Sequence, residues 1–189
     1  MHLTLKESLK KIASGRSPWV YVYVLLIPLV NWSFANVPSY PVMGGEWNPM
    51  VIVTGLILVV RDLAQREVGH TIFIPLMVGL VISFILAPPE IAAASALAFG
   101  ISETIDWAIF TITKRPLSGR IMMSCAASAP VDSLVFLLGA NMAVPGLFSW
   151  PTLILSVASK LSGAYVVYLT LKRRERHAGV TPIPTYPEE

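Results

Sequence analysis

Six apolar stretches separated by short connections constrain this chain more than any other feature. A helix needs about 20 apolar residues to cross the hydrocarbon core of a bilayer. The stretches have close to that length and cover residues 19–36, 49–68, 71–87, 91–113, 120–140 and 151–171. Charged residues make up only 13% of the chain, whereas soluble domains carry about 25%. The pattern therefore predicts an all-α integral membrane protein, a bundle of six transmembrane helices.

The positions of the basic residues give an independent test of the six spans. Cytoplasmic connections of membrane proteins are enriched in Lys and Arg. If six spans alternate, 13 of the 14 basic residues fall on one side, and the exception, Lys160, lies inside the last span. The three opposite connections contain no Lys or Arg. This asymmetry predicts a multi-pass protein of the cell inner membrane with both termini in the cytoplasm.

The spans divide the chain into three parts. Residues 1–18 are predicted to be a cytoplasmic segment, 19–171 the transmembrane domain, and 172–189 a basic, disordered cytoplasmic tail. Residues 3–12 either form a short amphipathic helix on the inner surface or remain a frayed tail. The first span has the basic front of a signal peptide, but it is longer than a signal core, so we expect it to be retained. Pro and Gly mark the connections as loops, at 37–48, 87–90, 114–119 and 141–151.

Ionisable side chains within the spans are the second informative feature, because each costs about 2.5 to 3.5 kcal/mol to insert. Six lie within or near the spans: Arg61, Asp62, Glu103, Asp106, Asp132 and Lys160. Arg61 and Asp62 belong either to the interior or to the inner interface, where charge is less costly. With four acids against two bases, the surplus acid requires a bound proton, a cation or a cationic solute. The set predicts a shared polar cavity.

Helical periodicity assigns these groups to faces of the spans. At 100° per residue, one face of the fourth span carries Ala92, Ala96, Phe99, Gly100, Glu103, Asp106, Trp107 and Phe110. Its small residues predict the close approach of a neighbouring helix. Asp132 and Lys160 lie at similar depth, so they are candidates to pair, with Glu103 as a second candidate partner of Lys160. The alternative is that Asp132 and Lys160 form a structural pair without a binding role.

Three segments resemble the queuosine precursor transporters, also called the VUT or YhhQ-like family. They are Arg61-Asp62-Leu63-Ala64-Gln65, residues 94–103 with Asp106-Trp107, and residues 128–133, and Lys160 resembles the family's late lysine. The resemblance covers roughly residues 20–170. It implies a transporter that imports a 7-deazaguanine precursor of queuosine, in the cyano or the aminomethyl form. It also implies a fold like the substrate-binding subunits of vitamin uptake transporters.

Nine side chains form the predicted substrate site: Asp62, Gln65, Glu103, Asp106, Trp107, Ser128, Asp132, Phe136 and Lys160. A guanine-like ring presents an N–H pair that Glu103 or Asp106 would accept in a bidentate manner. Asp132 would either hold Lys160 or take up a proton during transport.

The remaining edge and faces of such a ring need a donor and an aromatic surface. Lys160 or Gln65 would donate to the ring carbonyl. Trp107 or Phe136 would stack on the ring, although both also suit ordinary packing.

Other functional classes receive less support from the sequence. One alternative is a substrate-binding membrane subunit for another vitamin or purine-like solute, which needs a separate energising module. An enzyme is not expected, since the chain has no metal triad, G-x-S-x-G elbow or phosphate loop. Cys125 and Ser128 share a face with Asp132 without an intramembrane histidine as base. We expect no cofactor, metal or nucleic acid; the partners are a small-molecule substrate and the bilayer, and a homo-oligomer remains open.

Overall fold

The computed structural model describes residues 4–86, 89–113, 115–143 and 145–177. These residues are almost entirely helical, as predicted. The helices are α1 (Leu5–Ala13), α2 (Pro18–Asn36), α3 (Met50–Val68), α4 (Phe73–Leu86), α5 (Pro89–Ile112), α6 (Leu117–Ala143) and α7 (Trp150–His177). Helices α2 to α7 correspond one by one to the six predicted spans, and the bundle they form is that of a helical membrane protein.

Four helical segments of the described residues are long and apolar enough to cross a membrane. They are Pro18–Asn36, Met50–Leu86, Leu117–Met142 and Trp150–His177. The second of these contains both α3 and α4, whereas α5, which carries Glu90, Glu103 and Asp106, is not among the four. Length and hydropathy therefore identify fewer spans than the six predicted. The relative direction of α3 and α4 decides whether Met50–Leu86 is one span or two.

Contacts with α2 show that α3 and α4 run in opposite directions. The carboxylate of Glu67, at the end of α3, accepts the N–H of Trp19 at 3.1 Å, at the start of α2. In contrast, the amide of Asn31 donates to the hydroxyl of Ser83, near the end of α4. Helix α2 is therefore antiparallel to α3 and parallel to α4. The segment Met50–Leu86 therefore consists of two antiparallel helices, which is consistent with the six predicted spans.

The reversal occurs at a glycine. Gly69 has φ +61°, a backbone conformation that costs glycine little and other residues more. A short 3₁₀ turn, Gly69–Ile72, then leads directly into α4. The sharp turn explains why the two apolar stretches lie so close together in the sequence.

A β-hairpin replaces part of the predicted loop 37–48. Strands β1 (Tyr40–Val42) and β2 (Gly45–Trp47) pair antiparallel, and the turn residues Met43 and Gly44 both have positive φ, +51° and +80°. Positive φ at both positions is typical of the type I′ turn. The sequence predicted a connection at 37–48 but not the hairpin within it, because Met-Gly lacks the Asn-Gly or Asp-Gly signal of such turns. We call the side of the bundle that carries this hairpin the hairpin end.

Helix α1 forms at the opposite end of the bundle. The N–H of Thr4 donates to the Glu7 carboxylate at 2.8 Å, and the N–H of Glu7 donates back to the Thr4 hydroxyl at 3.3 Å. The bond from the Thr4 backbone lowers the pKa of Glu7. The hydroxyl of Ser8 donates to the carbonyl of Val68 at 3.1 Å, which holds α1 against α3. Of the two alternatives for the N-terminal segment, the helix is the one observed.

The distribution of polar and apolar side chains is that of a membrane bundle. Large apolar side chains face outward, among them Leu25, Val81, Ile85, Leu97 and Ile154. Serine, acidic and basic side chains fill much of the interior. The polar groups therefore face the centre of the bundle, as the sequence predicts.

Small residues bring particular helices together, though not all those predicted. A Cβ on Gly55 would lie 2.3 Å from the carbonyl oxygen of Lys160, so α3 and α7 are in backbone contact. A Cβ on Gly139 would lie 2.9 Å from that of Ala94. A Cβ on Gly100 would meet no atom within 4 Å. The prediction of a helix contact at Gly100 was wrong, because this residue lies at the exposed edge of its face.

Helix α7 continues six residues beyond the predicted end of its span, to His177. The Glu175 carboxylate accepts the N–H of Ser118 at 3.0 Å, at the start of α6. This contact ties the first residues of the predicted tail to the bundle as helix. The predicted disorder of 178–189 lies outside the described residues, as do Ala87 and Lys114.

Candidate functional site

Arg61 of α3 is the centre of a fully buried polar cluster. Its Nε donates to Oε2 of Glu103 at 2.6 Å, and its Nη1 donates to Oδ1 of Asp62 at 3.0 Å and to Oε1 of Gln65 at 2.5 Å. Oδ2 of Asp106 lies 3.3 Å from the same Nη1. We call these five residues the Arg61 cluster. Each of them is at most 1% exposed.

Helical spacing places these groups on one surface. Glu103 and Asp106 are three residues apart on α5, and Ser124 and Ser128 are four apart on α6, so each pair shares a face. Ser124 donates to Oδ2 of Asp62 at 2.8 Å, and Ser128 donates to Oδ1 of Asp106 at 3.3 Å. Three helices thus converge on the cluster. Neither Arg61 nor Asp62 is exposed, so both side chains lie in the interior of the bundle.

Lys160 of α7 forms a second buried polar group. Its Nζ donates to Oδ2 of Asp132 at 2.5 Å and to the hydroxyl of Ser133 at 2.9 Å. The hydroxyl of Ser102 donates to Oδ1 of Asp132 at 3.0 Å. We call Lys160 and Asp132 the Lys160 pair. The predicted partnership is confirmed, and the other candidate partner, Glu103, binds Arg61 instead.

A cavity leads from the hairpin end to the Lys160 pair. Its volume is about 100 Å³, which is below the usual range of small-molecule sites. Glu46 and Asn48 lie at the hairpin side of the lining, and Ser133, Phe136 and Lys160 lie deeper. The cavity is partly open and mainly apolar, with a few polar groups converging at its base.

A second, smaller pocket continues inward from the base of the cavity. Asn31, Ser95 and Asp132 contribute polar atoms to it. Phe34 and Phe136 line both spaces, and their ring centroids lie 5.1 Å apart. The aromatic pair therefore stands where the two spaces meet.

The structure divides the nine predicted site residues into three groups. Asp132, Phe136 and Lys160 line the cavity or the inner pocket. The second group lies in or against the Arg61 cluster and lines neither space; it consists of Asp62, Gln65, Glu103, Asp106 and Ser128. Trp107 stands apart, and its Nε1 donates to Nδ1 of His70 at 2.9 Å. Its ring contacts the rings of His70 and Phe73 rather than the cavity.

Several polar residues of the interior were not predicted as parts of the site. Arg120 is buried, with its guanidinium 4.0 Å from the centroid of the Phe110 ring. The sequence placed it at the first residue of the fifth predicted span, on the basic side of the membrane, and gave no sign of a role in the interior. Asn31 accepts from Ser95 at 2.7 Å and donates to Ser83. An amide in the middle of an apolar span was the available signal for this second network.

One group of three potential metal ligands occurs in the described residues. Ligand atoms of Asp62, Asp106 and Cys125 lie within 4.8 Å of one another. The Arg61 guanidinium already contacts both acids. Its positive charge disfavours a second cation at the same oxygens, so we assign no metal there.

A family model described as "Putative vitamin uptake transporter" matches residues 47–170, about two thirds of the chain. The chain belongs to this family. The match begins at the end of β2 and reaches into α7, so it contains the Arg61 cluster and the Lys160 pair. No curated protein and no solved structure matches the chain. Membership in the vitamin uptake transporter family makes the protein a membrane transporter with a small-molecule substrate.

Proposed function

We propose that the protein imports a 7-deazaguanine precursor of queuosine, in the cyano or the aminomethyl form, into the cytoplasm. The observation that carries the proposal is the cavity that opens at the hairpin end and ends at the Lys160 pair. A flat base with several donors and acceptors needs an apolar slot with few, well-placed polar groups. The resemblance of three sequence segments to queuosine precursor transporters favours this solute among vitamin-like compounds.

The cavity and the inner pocket at its base, which Asp132 lines, together supply a complementary group for each part of the base. Phe136 offers an aromatic face for stacking. The Nζ of Lys160 has three protons and two observed acceptors, so one remains to donate to the ring carbonyl. Asp132 accepts one hydrogen bond on each oxygen and keeps further lone pairs for the N–H pair of the base. In this proposal Asp132 takes the role that the sequence suggested for Glu103 or Asp106.

The other predicted residues have a different place in the proposal. Glu103 lies next to Ser102, which donates to Asp132. The Arg61 cluster therefore continues the polar interior from the Lys160 pair toward the end that carries α1. Gln65 and Ser128 support this cluster rather than the substrate. Trp107 is replaced as the second aromatic group by Phe34, which faces Phe136.

The proposed orientation places the hairpin end outside the cell inner membrane. Basic residues gather at the other end, with Lys10 and Lys11 in α1 and Arg173, Arg174 and Arg176 in the last turns of α7. This distribution follows the enrichment of basic residues in cytoplasmic connections. The cavity then opens to the exterior, as import requires.

A strain that cannot make queuosine precursors provides the test. Cells are fed a low concentration of each base, and queuosine in their tRNA is measured with and without this gene. We expect the gene to restore queuosine, and Asp132→Asn to abolish most of the restoration. Leu138→Ala, at a side chain 48% exposed on the outside of α6, is the matched control and retains it. If neither base restores queuosine, or if Asp132→Asn has no effect, the proposed substrate or its site is wrong.

The same substrate test does not separate a carrier from a binding subunit. Uptake by the purified chain alone in lipid vesicles does so. A carrier accumulates or equilibrates the base without any other protein, whereas a binding subunit retains the base at its cavity and transports none.

A further inference from the structure

The charges of the Arg61 cluster do not balance. Asp62, Glu103 and Asp106 contribute three carboxylates, and Arg61 contributes the guanidinium that pairs with them among the contacts of the described residues. With all groups ionised the cluster carries a formal charge of 1 − 3 = −2. The four side chains are at most 1% exposed. Such an excess of buried charge is too costly to persist without a compensating ion.

Two of the three acids lie too close together to ionise independently. Carboxylate oxygens of Asp62 and Asp106 lie within 4.8 Å of each other, with Sγ of Cys125 at the same distance or less from both. Two carboxyl groups at this separation in a buried site commonly retain a proton between them. The guanidinium lowers the repulsion only in part, because it is shared with Glu103.

Unpartnered oxygen atoms provide a second, independent observation. Tyr23 of α2 is fully buried and lies beside Glu103, and its hydroxyl has no hydrogen-bond partner within the described part of the chain. Oε1 of Glu103 is likewise buried without a hydrogen-bond partner there, and Oδ2 of Asp106 lies 3.3 Å from Nη1 of Arg61, its ion-pair partner. An ionised carboxylate only accepts hydrogen bonds, whereas a protonated one also donates. Protons on these acids would supply donors that the cluster lacks.

The substrate does not supply the missing positive charge. None of the three acids lines the cavity or the inner pocket, whereas Asp132 is already paired with Lys160. The charge must therefore be offset by something small enough to enter a sealed site. The connection to the cavity runs through Ser102, which donates to Asp132 and precedes Glu103.

We propose that the Arg61 cluster is a proton-binding site and that import of the substrate is coupled to proton movement through it. The inference rests on the proposed transport function and goes beyond it, because it names the energy source. At neutral pH the cluster holds at least one proton, shared by the three acids. The proton enters from the hairpin side by way of Asp132 and Glu103, and it leaves at the end that carries α1. No covalent bond of the substrate changes.

The titratable groups that face the site come from each helix packed around it. Helix α2 contributes Tyr23, and α6 contributes Cys125, with the buried guanidinium of Arg120 one helical turn before Ser124. Helix α5 contributes Glu103 and Asp106, and α3 contributes Arg61 and Asp62. On α7 the nearest charged group is Lys160, which Asp132 neutralises. Arg61 keeps its charge at all relevant pH values, so the acids are the groups that exchange protons.

The first test is independent of any substrate. The purified full-length protein in lipid vesicles is examined by infrared difference spectroscopy, in which a protonated carboxylic acid gives a carbonyl band that shifts in D₂O. We expect this band at neutral pH in the wild type, its retention in Glu90→Gln at an exposed site, and its loss or shift in Asp62→Asn and Asp106→Asn. Absence of the band in the wild type, or its appearance only after sodium is removed, overturns the proposal whether or not the variants fold.

The second test addresses coupling. Vesicles with an inward proton gradient of one pH unit should accumulate the base about tenfold per coupled proton at equilibrium. Uptake that does not depend on the proton gradient contradicts the proposed coupling, even if the infrared band is present. If no base is bound or transported under any condition, the proposed function fails, and the infrared result still decides whether the site holds a proton.

Discussion

The Lys160 pair and the Arg61 cluster are two solutions to the same physical problem, charge in the interior of a membrane bundle. The pair has one cation and one anion, both about 4% exposed, at the base of an open cavity. The cluster has one cation and three acids and is closed off from both pockets. A balanced pair beside water has polar atoms to offer a solute. An unbalanced, sealed cluster instead requires a compensating charge of its own.

This contrast assigns different tasks to regions that are almost adjacent in the fold. Ser102 and Glu103 are consecutive on α5, yet Ser102 binds Asp132 and Glu103 binds Arg61. Two neighbouring positions of one helix thus serve two networks. Substitutions in the two regions should therefore differ in kind. Those in the Lys160 pair should mainly reduce uptake, whereas those in the Arg61 cluster should mainly destabilise the fold.

The largest expected effect comes from removing the single cation of the cluster. Arg61→Met would leave three buried acids without the cation that pairs with them, and breaking a buried ion pair typically costs about 3 to 5 kcal/mol. We expect little folded protein in the membrane and a sharply lower denaturation temperature in detergent. Arg61→Lys keeps the charge but loses the forked donors of the guanidinium, and it should retain more of the wild-type stability than Arg61→Met. Equal stability of Arg61→Met and the wild type would show that the cluster does not need its cation.

The next effect separates uptake from stability at the Lys160 pair. Lys160→Met leaves Asp132 without its cation, and we expect a loss of about 2 to 3 kcal/mol in the free energy of unfolding. The double variant Lys160→Met, Asp132→Asn removes both charges and should recover most of that stability while remaining inactive in uptake. Chemical denaturation and vesicle uptake of the two variants decide this. Recovery of uptake in the double variant would leave only a structural role for the pair.

A smaller effect is expected where α3 supports Lys160 through backbone contact. Gly55→Ala would place a Cβ 2.3 Å from the Lys160 carbonyl oxygen, and overpacking of this kind costs about 1 to 3 kcal/mol. We expect weaker substrate binding as well, because α7 must move away. Gly100→Ala meets nothing within 4 Å and is the matched control; it should be neutral or slightly stabilising. Unfolding and binding measurements on both variants test the contact.

The smallest effects compare two serines that serve the two regions. Ser133 accepts from the Lys160 ammonium at 2.9 Å, and Ser124 donates to Asp62 at 2.8 Å. A hydrogen bond to a charged group contributes about 1.5 to 3 kcal/mol, and one between neutral groups about 1 kcal/mol. If Asp62 shares a proton, Ser124→Ala should cost less than Ser133→Ala. The reverse order in unfolding free energies would indicate that Asp62 is fully ionised.

Much of the architecture was predictable from the sequence because hydropathy and periodicity follow directly from the bilayer. The ends of α2 and α3 agree with the predicted spans within one residue. The burial of Glu103, Asp132 and Lys160 also followed, since ionised groups avoid lipid. The pairing of Asp132 with Lys160 was predictable from depth.

What periodicity could not give was the identity of the neighbouring surface. It placed Trp107 and Glu103 on one face, yet Trp107 contacts His70 on the far side of that face. It also could not distinguish Gly100, which faces open space, from Gly55, which touches α7. Which helices meet depends on tertiary packing. Depth along the span alone did not decide whether Arg61 belongs to the bundle interior or to the inner interface.

The attachment of the hairpin to α7 links the entrance of the cavity to its floor. Trp47 donates to the hydroxyl of Ser159 at 2.8 Å, and the N–H of Glu46 donates to Thr152 at 2.9 Å. Ser159 is the residue immediately before Lys160. Any tilt or rotation of α7 would thus move the hairpin at the cavity mouth together with the Lys160 ammonium. A solute that binds the ammonium and shifts α7 would therefore also change the shape of the mouth by which it entered.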